Sequence, residues 1–493
     1  MHHHRPWDGI APAQGQICSE KRMSQNSPAQ QTPACPFGGA EPAGQPSPTV
    51  QVAPGRLPMV GHIWPLMRNP FDFFADLRAS GDVVKIYIGK RPIYFLTTAQ
   101  LAHQVLVKDA RSFGKGMVWE AVHPLSGNGL LASDRALHRR QRRLIQPLFH
   151  RKMIASYAQI MTAESQALAD SWQPGQRVTV QKAMIELTLN TIVRSMFSGS
   201  LPNDVVQEII RSLPIFTYGM VARTVLPAWL CKVSGFDRRF LGAADRLRAT
   251  VDHVVRTDKS ADGADLLSHL RAARDPDTGE AMSEDLIRDE LVSIMMAGTE
   301  TTAATLTWAL HEIAQHPEVE KKLRAELENV LGGRPAEYDD IENLNYTRAV
   351  VNEVLRRYSL LMLFRRAEEP VVVESIPLPA GADIMFSQID LHRDGEAFTD
   401  PDSFKPERWL VEREHLPDRN AFLPFGEGNR RCIGESYAQA KAVIALATIL
   451  GRWRLIPAPG HTVRRVAAAM PRPNDLPMIV TPLNSDRSEL NHA

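Results

Sequence analysis

The stretch FGEGNRRCIG, at residues 425–434, decides how this sequence is interpreted. It places Cys432 in a glycine-rich loop, beside two arginines and immediately before an apolar segment that predicts a helix over residues 434–450. Glycine lets the backbone adopt positive φ and approach a flat molecule closely. The N–H groups of such a loop, and the positive end of the following helix dipole, both stabilise a thiolate. A thiolate held in this way is suited to be an axial ligand of haem iron.

These residues fit the pattern F-G-x-G-x-R-x-C-x-G, which resembles the haem-ligand signature of the cytochrome P-450 family. A lone cysteine in an ordinary loop would be interpreted as a buried structural residue. That interpretation is disfavoured here because three further motifs of the family occur upstream in the family's order, so the resemblance covers residues 54–482. It implies haem b as the cofactor, Cys432 as the iron ligand, and Phe425 and Gly434 as parts of the cofactor site.

The resemblance also implies the fold class, which is mainly α (α+β): a helical prism with a smaller β-rich subdomain. Residues 1–53 are rich in Pro, Ala, Gln and Ser, which predicts a disordered N-terminal tail. One haem-thiolate monooxygenase domain follows over residues 54–482, with a short C-terminal tail over residues 483–493. The translation start could be Met1 or Met23, since the sequence after each predicts no structure.

Composition sets further bounds on function. The chain has 493 residues, 44% hydrophobic and 23% charged, with a formal net charge of +1, which is ordinary for a globular protein and indicates no nucleic-acid partner. The cysteines, at positions 18, 35, 231 and 432, do not resemble a disulfide framework and fit a reducing compartment. No apolar run reaches the length of about 18 residues that a membrane span requires. No signal peptide is evident. We therefore expect a soluble, cytoplasmic monomer without a transmembrane anchor.

Helical periodicity dominates the centre of the sequence, from residue 98 to residue 359. The longest predicted helix covers residues 283–316, because Ser283 is a good N-cap and Pro317 stops the pattern. Such a helix would be roughly 50 Å long, enough to cross the whole molecule. Pro317 suits the first position of the next predicted helix, which ends at Gly332.

The predicted strands lie on both sides of this helical region. A short helix over residues 70–79 precedes a β-hairpin made of Val83–Ile88 and residues 92–96. After Tyr358 the sequence becomes β-rich and irregular, and a C-terminal hairpin is expected over residues 464–482. These strands would form the smaller subdomain.

The long predicted helix contains AGTETT at residues 297–302, which resembles the family's oxygen-activation motif. The small residues Ala297 and Gly298 would let the flat cofactor and O₂ lie close to the helix. By resemblance, Thr301 is the alcohol that hydrogen-bonds dioxygen and Glu300 is the acid that relays protons from solvent. The reaction needs both functions, because cleavage of the O–O bond consumes two protons. The alternative is a threonine that only bonds to a carbonyl one turn back.

A second upstream motif is ExxR, here Glu353 and Arg356, which share one face of a predicted helix. Such pairs are common on helix surfaces, so this motif alone is weak. In the family the pair is joined by an arginine of an F-x-P-x-R-W segment, which is FKPERW at residues 404–409 and supplies Arg408. We expect this triad to act in folding and haem retention rather than in turnover.

The resemblance also implies which residues bind the two propionate carboxylates of the haem. His138 and Arg142 lie four residues apart on a predicted helix, and Arg430 lies two residues before the cysteine. Arginine suits a carboxylate because its guanidinium group donates two parallel hydrogen bonds. Arg365 is the fourth expected partner, although the adjacent Arg366 remains an alternative.

Other basic residues near His138 predict a surface for the electron donor. In the family this helix borders the face of the molecule on which the cysteine ligand lies. A basic surface there would attract an acidic ferredoxin, although solvated basic patches without a partner are common. The residues are Arg139, Arg140, Arg143, Arg151 and Lys152.

The substrate pocket is predicted only by resemblance, from residues 114–124, 360–364 and 467–470 and from Ser293, Ile294 and Ala297 of the long helix. Core packing is an equally good interpretation for each single residue. Because no charged group stands out, a neutral lipophilic substrate is expected. The apolar side chains are Met117, Val118, Trp119, Ile294, Ala297, Leu361, Met362 and Phe364.

Two framework stretches, residues 138–147 and 376–384, are similar to segments of bacterial enzymes that oxidise sesquiterpenes. The predicted function is therefore haem-dependent monooxygenation of a terpenoid first, and of a fatty acid or steroid second. Electrons would come from NAD(P)H through a separate ferredoxin reductase and ferredoxin, because the sequence contains no flavin or iron–sulfur motif.

Three alternative functions are disfavoured by the sequence. A peroxide-using or isomerising relative would typically lack the acid–alcohol pair, which is intact at Glu300 and Thr301. The same pair disfavours a haem-binding sensor without turnover. A zinc or redox-thiol protein is disfavoured because the sequence lacks paired cysteines or a histidine cluster.

Overall fold

The computed structural model describes residues 50–197, 203–226, 228–257, 265–411 and 420–483. Most of the predicted N-terminal tail, with Cys18 and Cys35, lies outside the described residues, as does the predicted C-terminal tail after Leu483. Those predictions stay predictions. The boundary at residue 54 changes, because Gln51–Val52 already forms a strand and Ala53 is buried.

Helices make up most of the described chain, as the periodicity predicted. In chain order they are α1 (Ile63–Arg68), α2 (Pro70–Leu77), α3 (Ala99–His103), α4 (Met117–Ser126), α5 (Arg135–Ile145), α6 (Arg151–Ser171), α7 (Val180–Met196), α8 (Asn203–Val225), α9 (Ala228–Val233), α10 (Phe236–Thr257), α11 (Leu266–Ala272), α12 (Glu284–Gln315), α13 (Pro317–Leu331), α14 (Asn345–Arg357), α15 (Gln388–Leu391) and α16 (Glu435–Leu450).

The strands form a smaller part, as expected. They are β1 (Gln51–Val52), β2 (Val83–Ile88), β3 (Arg91–Leu96), β4 (Phe113–Gly114), β5 (Arg177–Thr179), β6 (Leu363–Ala367), β7 (Val371–Val373), β8 (Ile376–Leu378), β9 (Asp383–Phe386), β10 (Trp453–Pro457), β11 (Arg465–Val466), β12 (Arg472–Pro473) and β13 (Pro477–Pro482).

The main sheet has the order β1-β2-β3-β9-β6-β4, so the predicted hairpin of β2 and β3 is confirmed and lies inside a mixed sheet. The predicted C-terminal hairpin over residues 464–482 is confirmed in its first part, where β11 and β12 pair antiparallel. It does not include β13, which pairs with β10 and β5 in a separate sheet. The alternation of apolar residues does not specify which of several strands is the partner.

Helix α12 follows the prediction closely, with 32 residues. The Ser283 side chain accepts a hydrogen bond from the N–H of Leu286. The helix ends at Gln315, and His316 separates it from Pro317, which begins α13. Gly332 then ends α13 in the left-handed conformation that favours glycine. Helix α12 packs against α7, α10, α14 and α16, and it therefore forms the centre of the helical part.

The predicted triad forms a buried network that joins α14 to the segment before α16. Arg356 and Glu353 are both fully buried, and the Arg356 Nη2 atom lies 2.8 Å from the Glu353 Oε1 atom. Arg408 adds a second ion pair, in which its Nε atom lies 3.1 Å from the Glu353 Oε2 atom. Arg356 also donates to the carbonyl groups of His392 and Ser403.

No helix in the described ranges is both long enough and apolar enough to cross a membrane.

Candidate active site

The cysteine loop is held by close backbone contacts. The Cys432 N–H donates to the carbonyl oxygen of Phe425 at 2.8 Å, which closes the loop on itself. Gly428 has a φ of +71°, and a Cβ atom on it would lie 1.9 Å from the carbonyl oxygen of Leu106. Any other residue would force these two segments apart. The loop ends at Gly434, which precedes the first turn of α16.

The Cys432 thiol lies deep in the protein and is nevertheless accessible. Its side chain is exposed. Protein atoms around the sulfur nevertheless desolvate it, and this burial raises the pKa of the thiol. The N–H of Gly434 and the charges of Arg142 and Arg431 act in the opposite direction and favour the thiolate.

The middle of α12 contains one exposed residue. Ala297 is exposed although the helix is buried on either side of it, for example at Met295 and Thr299. The Thr301 hydroxyl donates to the Ala297 carbonyl at 2.7 Å, the local bond that the alternative interpretation predicted. The hydroxyl oxygen keeps its capacity to accept a further bond. Glu300 is half-buried next to it.

Gly298 faces another helix. A Cβ atom on Gly298 would lie 2.6 Å from Cδ1 of Ile192 in α7. Its missing side chain therefore permits the close approach of α7 and α12. That the same residue also leaves room for a flat cofactor stays a prediction.

The four predicted propionate partners lie in one region of the molecule. Few carboxylates lie near them. His138 is buried, and burial and the charges of Lys115 and Arg430 lower the pKa of its imidazole to about 3. Burial and Arg430 lower the pKa of the Arg365 guanidinium to about 9. Burial also lowers the pKa of Arg142, whose Nη1 atom donates to the carbonyl of Arg431 at 2.7 Å. Like charges held this close are unfavourable unless an anion lies among them.

Arg430 shows directly that the cluster is incomplete. Its Nη2 atom is paired with Asp134. Its Nε and Nη1 atoms are buried and have no hydrogen-bond partner among the described residues. Leaving such donors unpaired costs roughly 1–3 kcal/mol each. Two carboxylates placed between Arg430, Arg365 and Arg142 would satisfy them, so the residues present fit the propionates of a haem.

Arg365 and its neighbour Arg366 have different surroundings in the structure. Arg366 donates to Asp383 at 2.9 Å and also pairs with Glu120, so its charge is balanced within the chain. Arg365 is buried, and its Nη1 atom donates to the carbonyl oxygen of Phe364. After burial, the charge of Arg430 is the largest cause of its lowered pKa. This difference favours Arg365 as the cofactor-binding arginine.

Two residues of this site, Lys115 and Asp134, were missed by the sequence analysis. The Asp134 carboxylate accepts from the N–H groups of Lys115 and Arg135 and pairs with Arg430, so it joins three separate segments. The Lys115 ammonium donates to the carbonyls of residues 130 and 131 at 2.6 Å, and burial followed by the charge of Arg430 lowers its pKa to about 7. An Asp that precedes a helix would have been found as an N-cap; no local signal distinguishes Lys115.

A cleft of about 700 Å³ opens beside this cluster. Its lining includes Lys115, Trp119, Glu120, Asp134, Arg366 and Glu368. It gives solvent a polar approach to the cationic site.

The predicted basic surface is smaller than expected. Arg140 lies 2.9 Å from Asp275, Arg143 lies 2.7 Å from Asp277, and Arg151 lies 2.7 Å from Glu342. These acidic partners lie far from the arginines in the sequence. The local pattern of basic residues therefore could not predict them. Among the described residues, Arg139 and Lys152 are exposed and form no ion pair.

Contacts join three of the predicted pocket segments, residues 114–124, 360–364 and 467–470. A Cβ atom on Gly116 would lie 3.2 Å from Cβ of Phe364, and the N–H of Leu361 donates to the carbonyl of Ala469. The Thr305 hydroxyl in α12 lies 3.9 Å from the sulfur of Met470. Of the apolar candidates, Met117, Leu361 and Phe364 are buried in one core cluster, with Val118 and Met362 packed against it.

Comparisons with known proteins agree with this architecture. A family model described as cytochrome P-450 matches residues 52–477. The chain is similar to the cytochrome P-450DA heme domain in its crystal structure, with a TM-score of 0.77 and 25% identity over 88% of this chain and 97% of that one.

Several relatives are more similar in sequence. Cyclooctatin synthase of Streptomyces melanosporofaciens is 41% identical, over 84% of this chain and 91% of the relative. Cyclooctat-9-en-7-ol 5-monooxygenase of the same organism is 37% identical, over 91% and 99%. Pentalenene oxygenase of Streptomyces avermitilis is 37% identical, over 85% and 94%.

The chain therefore belongs to the cytochrome P-450 family and is a haem-thiolate monooxygenase.

Proposed function

We propose that this enzyme hydroxylates a neutral, lipophilic terpenoid: R–H + O₂ + 2e⁻ + 2H⁺ gives R–OH + H₂O. The observation that carries the substrate class is the set of relatives named for cyclooctatin and pentalenene chemistry, 37–41% identical over at least 84% of this chain. The apolar character of the predicted pocket segments supports it. An apolar substrate gains by leaving water, whereas a charged one would need a buried partner.

The cysteine side of the site is proposed to hold haem b. Cys432 would bind the iron as a thiolate, and the bound haem supplies the activation of O₂. Burial raises the pKa of the Cys432 thiol, and the Gly434 N–H, Arg142 and Arg431 oppose this effect and stabilise the thiolate. Phe425 would fix the loop through the hydrogen bond that its carbonyl accepts from the Cys432 N–H.

The cationic cluster is proposed to bind the propionates. Arg142, Arg365 and Arg430 would donate charge-assisted hydrogen bonds. His138 would donate from a neutral ring, because its pKa is lowered to about 3. The unpaired Nε and Nη1 atoms of Arg430 support this assignment most directly.

The α12 side is proposed to deliver protons. Thr301 would hold a hydrogen bond near the oxygen site, since its hydroxyl already donates to Ala297 and can accept another. Glu300 would exchange protons with solvent from its half-buried position. Exposed Ala297 would leave room for the reacting part of the substrate.

Electrons are proposed to come from NAD(P)H through a ferredoxin reductase and an acidic ferredoxin. Within the predicted basic surface, Arg139 and Lys152 are the residues whose charge no described carboxylate balances. Long-range attraction by such exposed charges raises association rates and weakens with salt.

A matched panel of ligands tests the substrate class. Polycyclic terpenoid hydrocarbons and alcohols would be compared with fatty acids, steroids and charged metabolites of similar size, by the shift of the haem Soret band. We expect the terpenoids to give the largest shift and a product that contains one atom from ¹⁸O₂. A clear shift with charged metabolites alone would contradict the proposal.

A further inference from the structure

Lys441, in the helix that follows the cysteine, is an unusual buried residue. It lies on α16 and is 1% exposed. Burial lowers the pKa of its amine well below the ordinary value. It forms no salt bridge with any carboxylate in the described ranges, and a long apolar side chain of similar size would be easier to bury. Its presence therefore calls for a reason other than stability.

The Lys441 amine bonds to the neighbouring helix α7. Its Nζ atom donates to the carbonyl oxygen of Thr188 at 2.6 Å. The Thr188 hydroxyl lies 3.2 Å from the carbonyl oxygen of Thr299 in α12, and also 2.8 Å from the Met184 carbonyl in its own helix. One residue of α7 is thus within bonding distance of both α16 and the segment that contains Thr301.

Two further contacts show that α7 fits closely between these helices. One turn after Thr188, Ile192 fills the space that the missing side chain of Gly298 leaves. One turn before Lys441, the Tyr437 hydroxyl lies 3.2 Å from the Ser195 hydroxyl. The backbone at residues 298–299 therefore rests on α7, and α7 is fixed to α16 by side chains that no step of the reaction uses.

We propose that Lys441 is a positioning residue that acts through Thr188 to fix the oxygen-activation segment of α12 relative to the cysteine helix. The inference rests on the proposed role of Thr301 in proton delivery. Small displacements of reacting groups have large effects on rate. A neutral amine can donate to the Thr188 carbonyl without any charge in the core, so no carboxylate partner is required.

The test is Lys441→Met in the holoenzyme, which removes the hydrogen bond and keeps an unbranched side chain. We expect unchanged haem content, an unchanged Soret band of the reduced CO complex, and an equal or higher Tm. The peroxide released per NADPH should rise by about three- to tenfold, with a matching loss of product. Thr188→Val should act in the same direction, and the double variant should add little to either single one.

The matched control is Thr448→Val. Thr448 lies two turns later on the same helix, and its hydroxyl accepts a bond from Ala336 rather than contacting α7. This variant should stay coupled. Thr301→Ala provides the reference for full uncoupling.

Coupled turnover in Lys441→Met together with uncoupling in Thr301→Ala would overturn the inference and leave the proposed function intact. Loss of haem or a lower Tm in Lys441→Met would show a structural role and would also overturn it. Coupled turnover in Thr301→Ala would instead remove the proposed role of Thr301.

Discussion

Two buried arginines of this molecule differ in one respect. Arg356 is fully buried, and Glu353, His392 and Ser403 accept its hydrogen bonds. Arg430 is mostly buried, with a side chain 10% exposed, but it keeps two donor atoms without a partner among the described residues. A satisfied buried arginine indicates a structural role, because the chain alone completes its site. Two unsatisfied donor atoms on one arginine, beside the buried Arg365, indicate a ligand.

The largest expected effect follows from breaking the satisfied site. Glu353→Ala leaves Arg356 and Arg408 without their shared carboxylate, and breaking a buried pair in this way costs about 3–5 kcal/mol. We expect little folded protein, measured by Tm and by the yield of haem-loaded enzyme. Glu318→Ala, a change in the first turn of α13, is the control. Normal yield of Glu353→Ala would remove the distinction between the two arginines.

Removing Arg430, which has two unsatisfied donor atoms, should affect haem dissociation more than the stability of the chain. Arg430→Leu removes two donor atoms that the protein itself does not satisfy, together with one ion pair to Asp134. The Tm of the haem-free chain should therefore fall far less than in Glu353→Ala. Haem should dissociate faster by about ten- to a hundredfold, because charge-assisted hydrogen bonds to its carboxylates are lost. The rate of haem transfer to apomyoglobin measures this. A lower Tm without faster haem loss would contradict the assignment.

A pH titration sharpens the comparison further. In the haem-free chain the Lys115 pKa is about 7 instead of 10.5, so folding opposes protonation of this amine. Between these two values the unfolded chain binds more protons, and stability should therefore rise with pH across this window. The penalty is fully present below pH 7. Lys115→Met should flatten the rise in Tm, whereas an identical slope in both proteins would count against the buried position of Lys115.

The smallest effect is expected at the surface, where arginines can also be compared in pairs. Arg139→Glu should slow reduction by an acidic ferredoxin by roughly two- to fivefold at low salt. Arg151 is already balanced by Glu342, so Arg151→Glu should slow it less. Stopped-flow reduction at two salt concentrations measures both. Equal rates for the two variants would remove the argument from unpaired charge.

Sequence reasoning found the elements that depend on local patterns. The ends of α12 were predicted because Ser283 and Pro317 affect only the helical turn next to them in the sequence. The triad of Glu353, Arg356 and Arg408 was predicted by resemblance, and the structure brings its members together.

Features that depend on long-range contacts were not found. The carboxylates that balance Arg140 and Arg143 lie on the segment around residues 275–280, so their effect on the basic surface was not visible in the sequence. The partners of β13 were missed for the same reason. Lys115 and Lys441 are buried by elements distant in the chain, and the sequence gives no local sign of it.

The Asp134 carboxylate has a consequence for the order in which the protein is made. It joins the segment around Lys115 to Arg430, which lies 296 positions after Asp134 in the chain. Contacts of such high sequence separation form late, and synthesis proceeds from the N-terminus at about 5–20 residues per second. On the proposed function, the propionate-binding residues near Asp134 and the cysteine loop can meet only after the last part of the chain has been made. Insertion of haem would therefore belong to the end of biosynthesis.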